Sequence, residues 1–338
     1  MNPYDRLYVV RVPPAAILGD RPVTRRMTQR LGVLLALLLI SAVLTGCGTT
    51  DALRQSGDAC SPTRSLAAGT SQVSMDDKTG KRTYLLHVPP GYDGTTRTPV
   101  VVLFHGLGGN SAAVAESTRL IKLSDRAGFI LVVPQGLGAI THWDFRSPPT
   151  AKQSDLGFAN RLVTSVKGSA CVDPHRVYAA GFSNGSALAL ALACEGSTSF
   201  AAYAAVAAPY FDASCNSAPP ASIIYFHGTA DTVVPFDGGN TAVGPLPGVI
   251  TTLQSWASHD ACPPRGSKTT VSTHVRHFAW TGCRKGSGVD VYEVIHGGHA
   301  WPGQAGGSPG RVQGVQTQEV NASELIWRFF EAHPSGGQ

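Results

Sequence analysis

The sequence predicts an α/β fold with a mostly parallel central sheet covered by helices on both faces. Three observations lead there. Short strand-like runs alternate with longer helix-like ones from residue 83 onward, the pattern of βα units whose parallel strands need helical crossovers. Several strand-like runs are apolar throughout, such as 99–104 (PVVVLF) and 129–133 (FILVV), as strands buried on both faces are. Composition permits the arrangement: of 338 residues, 43% are hydrophobic and 14% charged. That is enough for a sizeable core and excludes charge-driven disorder over most of the chain.

Strands are expected over 83–88 (TYLLHV), 99–104, 129–133, 176–180 (RVYAA), 202–207 and 222–226 (SIIYF), with a later run at 289–295. Helical periodicity covers 111–127, 155–169 and 184–195, and late helices fit 249–259 and 320–332 (VNASELIWRFFEA). The 38 Gly and 23 Pro imply many tight loops between these elements. No internal repeat and no second folded domain is visible.

The formal charge of +5 is unevenly placed. Residues 1–46 hold six Arg against Asp5 and Asp20, leaving 21 Lys and Arg against 20 Asp and Glu in the rest. A nucleic-acid partner needs a basic face on the folded part, so that class drops out. The basic excess precedes an apolar run at 31–43 (LGVLLALLLISAV), too short for a spanning helix but suited to a secretory signal. Met27, just ahead of it, is the candidate true start.

Leu44-Thr45-Gly46-Cys47 closes that run and resembles the lipobox of bacterial lipoproteins. The resemblance implies that Cys47 is lipidated and becomes the first mature residue; the alternative is an ordinary signal peptide with an incidental cysteine. The expected organisation is therefore an extension and signal at 1–46, a flexible tether at 47–70 and one folded domain at 71–338. Membrane contact is expected only through the lipid. Oligomeric state is not legible.

Six cysteines remain: Cys60, Cys171, Cys194, Cys215, Cys262 and Cys283. An even set in an exported chain reads as disulfides, with 15 possible pairings. Cys194 with Cys215 and Cys262 with Cys283 enclose similar short loops, which leaves Cys60 for Cys171. No C-x-x-C pair exists to suggest a zinc ribbon.

The chemistry-bearing motif is Gly181-Phe182-Ser183-Asn184-Gly185, a G-x-S-x-G pentad. Taken alone it is weak. An apolar strand leads in and SALALALA leads out as a strong helix former, the strand–turn–helix setting of a serine held on a tight elbow. A serine hydroxyl needs a base to remove its proton and a carboxylate to orient that base. Both lie downstream in the chain order Ser, Asp, His of an α/β-hydrolase.

Asp231 stands in HGTAD directly after the apolar strand 223–226, and His299 in the glycine-rich HGGHAWPG loop after 289–295. Asp237 and Asp260 are weaker candidates for that carboxylate because neither directly follows an apolar strand. His296 sits nearer its strand than His299. Upstream, His105-Gly106-Leu107-Gly108-Gly109 follows a strand and resembles the turn whose backbone N–H holds an oxyanion. The amides of Leu107 and Asn184 are the expected hole. His105 and His227 are expected to orient loops. His274-x-x-His277 and His296-x-x-His299 lack the flanking carboxylate or H-E-x-x-H helix of a metal site, so no metal and no cofactor is expected. Trp143 and Trp301, in polar or Gly-rich loops, are candidate substrate contacts.

With these motifs placed, residues 82–327 resemble the secreted polyhydroxybutyrate depolymerase and feruloyl esterase group of α/β-hydrolases. The likeness rests on HGLGG (105–109), VVPQG (132–136), DLGF (155–158), CVDPHRVYAAGFSNGSALALALACE (171–195), HGTADTVVPF (227–236), WASHDAC (256–262) and GGHAWPG (297–303). It implies a triad of Ser183, Asp231 and His299. The loop His142-Trp143-Asp144 departs from relatives that carry Trp-Asn followed by paired cysteines. The implied function is a serine esterase acting on small-molecule or polymeric esters, such as polyhydroxyalkanoate, feruloyl or acetyl-xylan esters. An acyltransferase with the same triad and a non-catalytic surface lipoprotein are the alternatives.

Overall fold

The elements follow in chain order as β1 (Gly69–Asp77), β2 (Gly80–Val88), β3 (Thr98–Phe104), α1 (Ser111–Ser117), α2 (Leu120–Ala127), β4 (Ile130–Pro134), α3 (Asp155–Ser169), β5 (Val172–Phe182), α4 (Asn184–Cys194), β6 (Ala202–Val206), β7 (Ser222–Gly228), β8 (Gly239–Thr241), β9 (Gly244–Leu246), α5 (Val249–His259), β10 (Ser267–Ser272), β11 (Val275–Trp280), β12 (Val289–Val294) and α6 (Ala322–Ala332). They come from a computed structural model that describes residues 59–148, 150–151, 154–241, 244–304 and 315–336. Cys47, Met27 and the signal-like run lie outside the described residues.

Ten strands form one sheet in the order β1-β2-β4-β3-β5-β6-β7-β12-β11-β10. Its centre, from β4 through β3, β5, β6 and β7 to β12, is parallel. Antiparallel hairpins close both edges. Side chains of a strand alternate between faces, and the core divides accordingly. Val100, Val102, Ile223 and Tyr225 pack with α3, α4 and α5. Val101, Leu103, Ile224 and Phe226 pack with α1, α2 and α6, where Trp327 stacks on Phe129 and Phe330 on Tyr178. Every residue of α4 from Gly185 to Cys194 is buried, which explains why its sequence is apolar all round.

Several elements differ from the sequence reading. Residues 59–70, counted there as tether, are fastened to the domain: Ala59 bridges Thr96, Cys60 is bonded to Cys171, and Gly69 opens β1. The helix expected over 111–127 is two helices. Thr118 turns its hydroxyl back onto the Val114 carbonyl (2.8 Å) and Arg119 takes a left-handed φ of 57°, a local side-chain bond that competes with helix continuation. Strands β10 and β11 were not expected, because β10 (SKTTVS) is an exposed edge strand with one large apolar residue. The remaining cysteines are joined as Cys194–Cys215 and Cys262–Cys283.

Candidate active site

Ser183 occupies the single residue between β5 and α4, with φ 53° and ψ −119°. A non-glycine residue rarely adopts a positive φ, and such strain persists only where neighbours enforce it. Gly181 and Gly185 allow the turn. A Cβ on Gly181 would lie 2.0 Å from the Gly185 carbonyl oxygen, and one on Gly185 2.3 Å from that of Phe104. The Ser183 N–H donates to the Val206 carbonyl at 2.8 Å, tying the elbow to β6.

The Ser183 hydroxyl donates to His299 Nε2 at 2.9 Å, and His299 Nδ1–H donates to Asp231 Oδ2 at 2.7 Å. Asp231 follows β7 and His299 follows β12, neighbouring parallel strands, so both loops leave the same end of the sheet as the elbow. The other carboxylate oxygen of Asp231 accepts the backbone N–H groups of Val233 (2.8 Å) and Val234 (2.9 Å). Burial works to raise the Asp231 pKa, but bonds from His227 and His299 outweigh it and hold the carboxyl below its ordinary range. His227 is a brace. Its Nδ1 accepts from the Tyr225 hydroxyl at 2.6 Å, and Nε2–H reaches the Val234 carbonyl at 2.8 Å and Asp231 at 3.3 Å.

The β3 loop is packed against the serine: a Cβ on Gly106 would lie 3.3 Å from Ser183 Cβ. The next amide is that of Leu107. Asn184 opens α4, where first-turn N–H groups have no intrahelical carbonyl. His105 shapes this loop, donating from Nδ1 to the Gly106 carbonyl (2.7 Å) and accepting the Gly136 N–H at Nε2 (2.9 Å). Burial pushes its pKa down, consistent with the neutral tautomer that those two bonds require. Trp143 joins both halves of the expected hole. Its indole N–H donates to the His105 carbonyl and its backbone N–H to Asn184 Oδ1, each at 2.7 Å.

A cleft of about 510 Å³ opens beside Ser183, lined by Leu107, Trp143, Phe145, Tyr210, Val233 and Leu246 among others. Its floor and walls are mainly apolar, and Arg146 stands at the rim. Trp143 does line this cleft. Trp301, the other candidate substrate contact, does not: it is 2% exposed, packs in the α6-side core and donates its indole N–H to Ser323 (3.0 Å). His296 is exposed, its backbone N–H on the Thr229 hydroxyl. Asp260 is occupied by His259 (2.7 Å) and the Ala221 N–H (3.0 Å). Of the two possible metal pairs, one has His274 ion-paired to Glu319 and His277 stacked on Tyr292, and the other has His299 engaged by Ser183 and Asp231. Among the described residues, the one three-ligand cluster is Cys194, Asp212 and Cys215, whose sulfurs are joined in a disulfide.

Sequence reasoning missed a buried pair beneath the cleft. Arg82 donates to Asp155 Oδ1 at 2.9 Å while its guanidinium lies 3.7 Å over the Phe158 ring; Asp155 Oδ2 accepts the Asp144 N–H at 2.7 Å. The pair thus anchors the loop that carries Trp143. The cleft wall from β8 and β9 was missed too, those strands being three residues each.

A serine on a strand–helix elbow, with an imidazole and a carboxylate on the following strand ends of a mainly parallel sheet, defines the serine hydrolases of α/β-hydrolase fold. Within that class, the chain belongs to the family described as esterase PHB depolymerase, whose model matches residues 82–252. It is 29% identical to the protein described as "Putative esterase NocK" of Nocardia uniformis, over 90% of this chain and 98% of that one. Feruloyl esterase C of Emericella nidulans is 24% identical, over 81% of this chain and 90% of that one. Among solved structures, an acetyl xylan esterase from Aspergillus awamori aligns with a TM-score of 0.56 at 16% identity, over 77% of this chain and 99% of that one. That last likeness speaks to fold alone. The chain is a carboxylic ester hydrolase.

Proposed function

We propose that Ser183 attacks the ester carbonyl carbon while His299 Nε2 takes its proton, forming a tetrahedral intermediate whose oxyanion is held by the amides of Leu107 and Asn184. The intermediate expels the alcohol, which leaves with the proton from His299. Water then attacks the acyl-serine as His299 again accepts a proton, and the acid is released with Ser183 restored. Asp231 keeps the imidazole in the Nδ1–H tautomer and stabilises the imidazolium that forms. The observation that carries this reading is the unbroken relay of 2.9 Å and 2.7 Å from hydroxyl to imidazole to carboxylate.

The apolar cleft favours an acyl or aryl group of moderate size, with Trp143 as one wall. The candidate substrates are feruloyl, acetyl-xylan, polyhydroxyalkanoate and simple lipid esters, the first being the ester for which a relative is named. Three disulfides fit an oxidising compartment, in line with export; the lipobox-like Leu44-Thr45-Gly46-Cys47 is what supports anchoring through a lipid on Cys47. Replacing Cys47 by Ala should release the protein from membranes.

The decisive variant is Ser183→Ala. Removing a triad member costs about 10⁴–10⁶ in kcat, so hydrolysis of p-nitrophenyl butyrate should fall to near background. Retention of most of the activity would overturn the assignment.

A further inference from the structure

Phe182 stands immediately before the nucleophile, at the last position of β5, and the relay of hydroxyl, imidazole and carboxylate leaves it without a role. Strand alternation puts it on the α6 side in one row with Tyr178 and Ala180, half-buried at the edge of that core. Its ring lies between the base and the β3 loop. The ring centroids of Phe182 and His299 are 5.1 Å apart with the planes tilted by 47°, and a Cβ on Gly106 would come within 3.2 Å of Phe182 Cδ1. The backbone fixes this placement. β5 and β6 pair in register at Phe182 and Val206, and the next N–H, that of Ser183, is bonded to the Val206 carbonyl.

Asp231 and Phe182 meet the imidazole in different ways. Asp231 accepts from Nδ1 and brings a full negative charge. Phe182 meets it ring to ring and makes no hydrogen bond to it. The faces of an aromatic ring are negative and attract a cation within about 6 Å of the centroid. A neutral imidazole gains little from such a face, whereas an imidazolium gains from it directly. His299 is 8% exposed, so water screens little of the charge that arrives when Nε2 takes the serine proton. That charge is present only while the tetrahedral intermediates form and collapse.

From this contact we infer that Phe182 is a positioning residue for the esterase reaction: its π-face keeps the His299 ring turned toward Ser183 and stabilises the imidazolium. The stabilisation favours the transition state over the resting enzyme, so it is felt in kcat. The inference rests on the serine-esterase reading and adds a fourth side chain that acts through the base.

Graded fluorination of the ring tests this, because fluorine withdraws charge from the face while nearly preserving the shape. Proteins with mono-, tri- or pentafluorophenylalanine in place of Phe182 are compared with the unmodified enzyme and Phe182→Leu on p-nitrophenyl butyrate. The expected result is that kcat falls stepwise with each added set of fluorines. The pentafluoro ring and Phe182→Leu should both lower it about 2- to 30-fold, the span of a cation–π contact from exposed to desolvated. KM should change less than about twofold, and the fluorinated proteins should keep the Tm of the unmodified one. A kcat that is equal across the fluorinated series, or that rises with fluorine as an edge-on ring would require, overturns the inference while Ser183→Ala remains inactive. An active Ser183→Ala would instead overturn the reading on which it rests.

Discussion

The backbones of Gly228 and Gly297 meet so closely that a Cβ on Gly228 would lie 2.1 Å from the Gly297 carbonyl oxygen. The Ala230 N–H donates to that same oxygen at 2.8 Å. Gly228 stands three residues before Asp231, and Gly297 two before His299. The spacing of carboxylate and imidazole is therefore fixed by a contact in which neither takes part. Gly228→Ala must push the two loops apart, and a misplacement of about 1 Å can cost about 10² in rate. We expect kcat on p-nitrophenyl butyrate to fall about 100-fold or more, with a lowered Tm. An unchanged kcat in a folded variant would refute the argument.

Trp143 offers a finer probe of the same site, because its indole N–H holds the carbonyl of His105 two residues ahead of Leu107. Trp143→Phe keeps an aromatic wall but leaves that buried carbonyl unpaired, a cost of about 1–3 kcal/mol. The Leu107 amide should then lose its fixed aim. We expect kcat to fall about 10-fold, less than the loss on removing an oxyanion donor outright, with KM little changed. A change confined to KM would mean that Trp143 serves the substrate only through its face.

The residues of the relay were legible in sequence for a physical reason: Ser183, Asp231 and His299 each follow an apolar strand and stand among glycines that permit sharp turns. What a residue touches across the chain was not legible. Trp301 reads as a rim residue from its Gly-rich neighbours, yet the fold turns it inward onto Ser323, 22 positions away. Arg82, just ahead of the expected strand 83–88, gives no sign of its role, because its partner Asp155 lies 73 positions on. The break at Arg119 leaves no mark either, since neither Thr118 nor Arg119 is a strong helix breaker. The edge strand β10 escapes because exposure removes the apolar alternation that betrays a strand.

The Arg82–Asp155 pair makes a prediction about stability. Both side chains are buried, and Asp155 also holds the Asp144 N–H. Deleting one partner leaves the other charge buried and uncompensated, which costs about 3–5 kcal/mol, whereas replacing both by apolar groups of similar volume is much less harmful. Asp155→Ala should therefore destabilise the fold more than the double change Arg82→Met/Asp155→Leu. Chemical denaturation of the three proteins checks the order, and a double variant as unstable as the single would contradict it. Both should lose activity to some degree, since the Trp143 loop loses its anchor.

Asp77 gives the fold a defined acid response. At the end of β1 it receives Arg161 of α3, with Nη2 to Oδ2 at 3.0 Å, and the Thr79 hydroxyl at 2.9 Å. Burial opposes its charge, but the Arg161 and Thr79 bonds prevail and lower its pKa from 3.8 to about 2. A carboxyl whose folded pKa is depressed contributes stability that is fully present above its unfolded pKa and disappears as pH falls through the folded one. Asp77→Asn should accordingly lower Tm by a constant amount at pH 5 and above. That deficit should shrink below about pH 4, be mostly gone at pH 2, where the folded carboxyl is about half protonated, and vanish only below that. Thermal melts of the two proteins from pH 2 to pH 7 measure the difference directly. A deficit that grows toward low pH would mean that Asp77 is held in its protonated form by the fold, the reverse of what its partners imply.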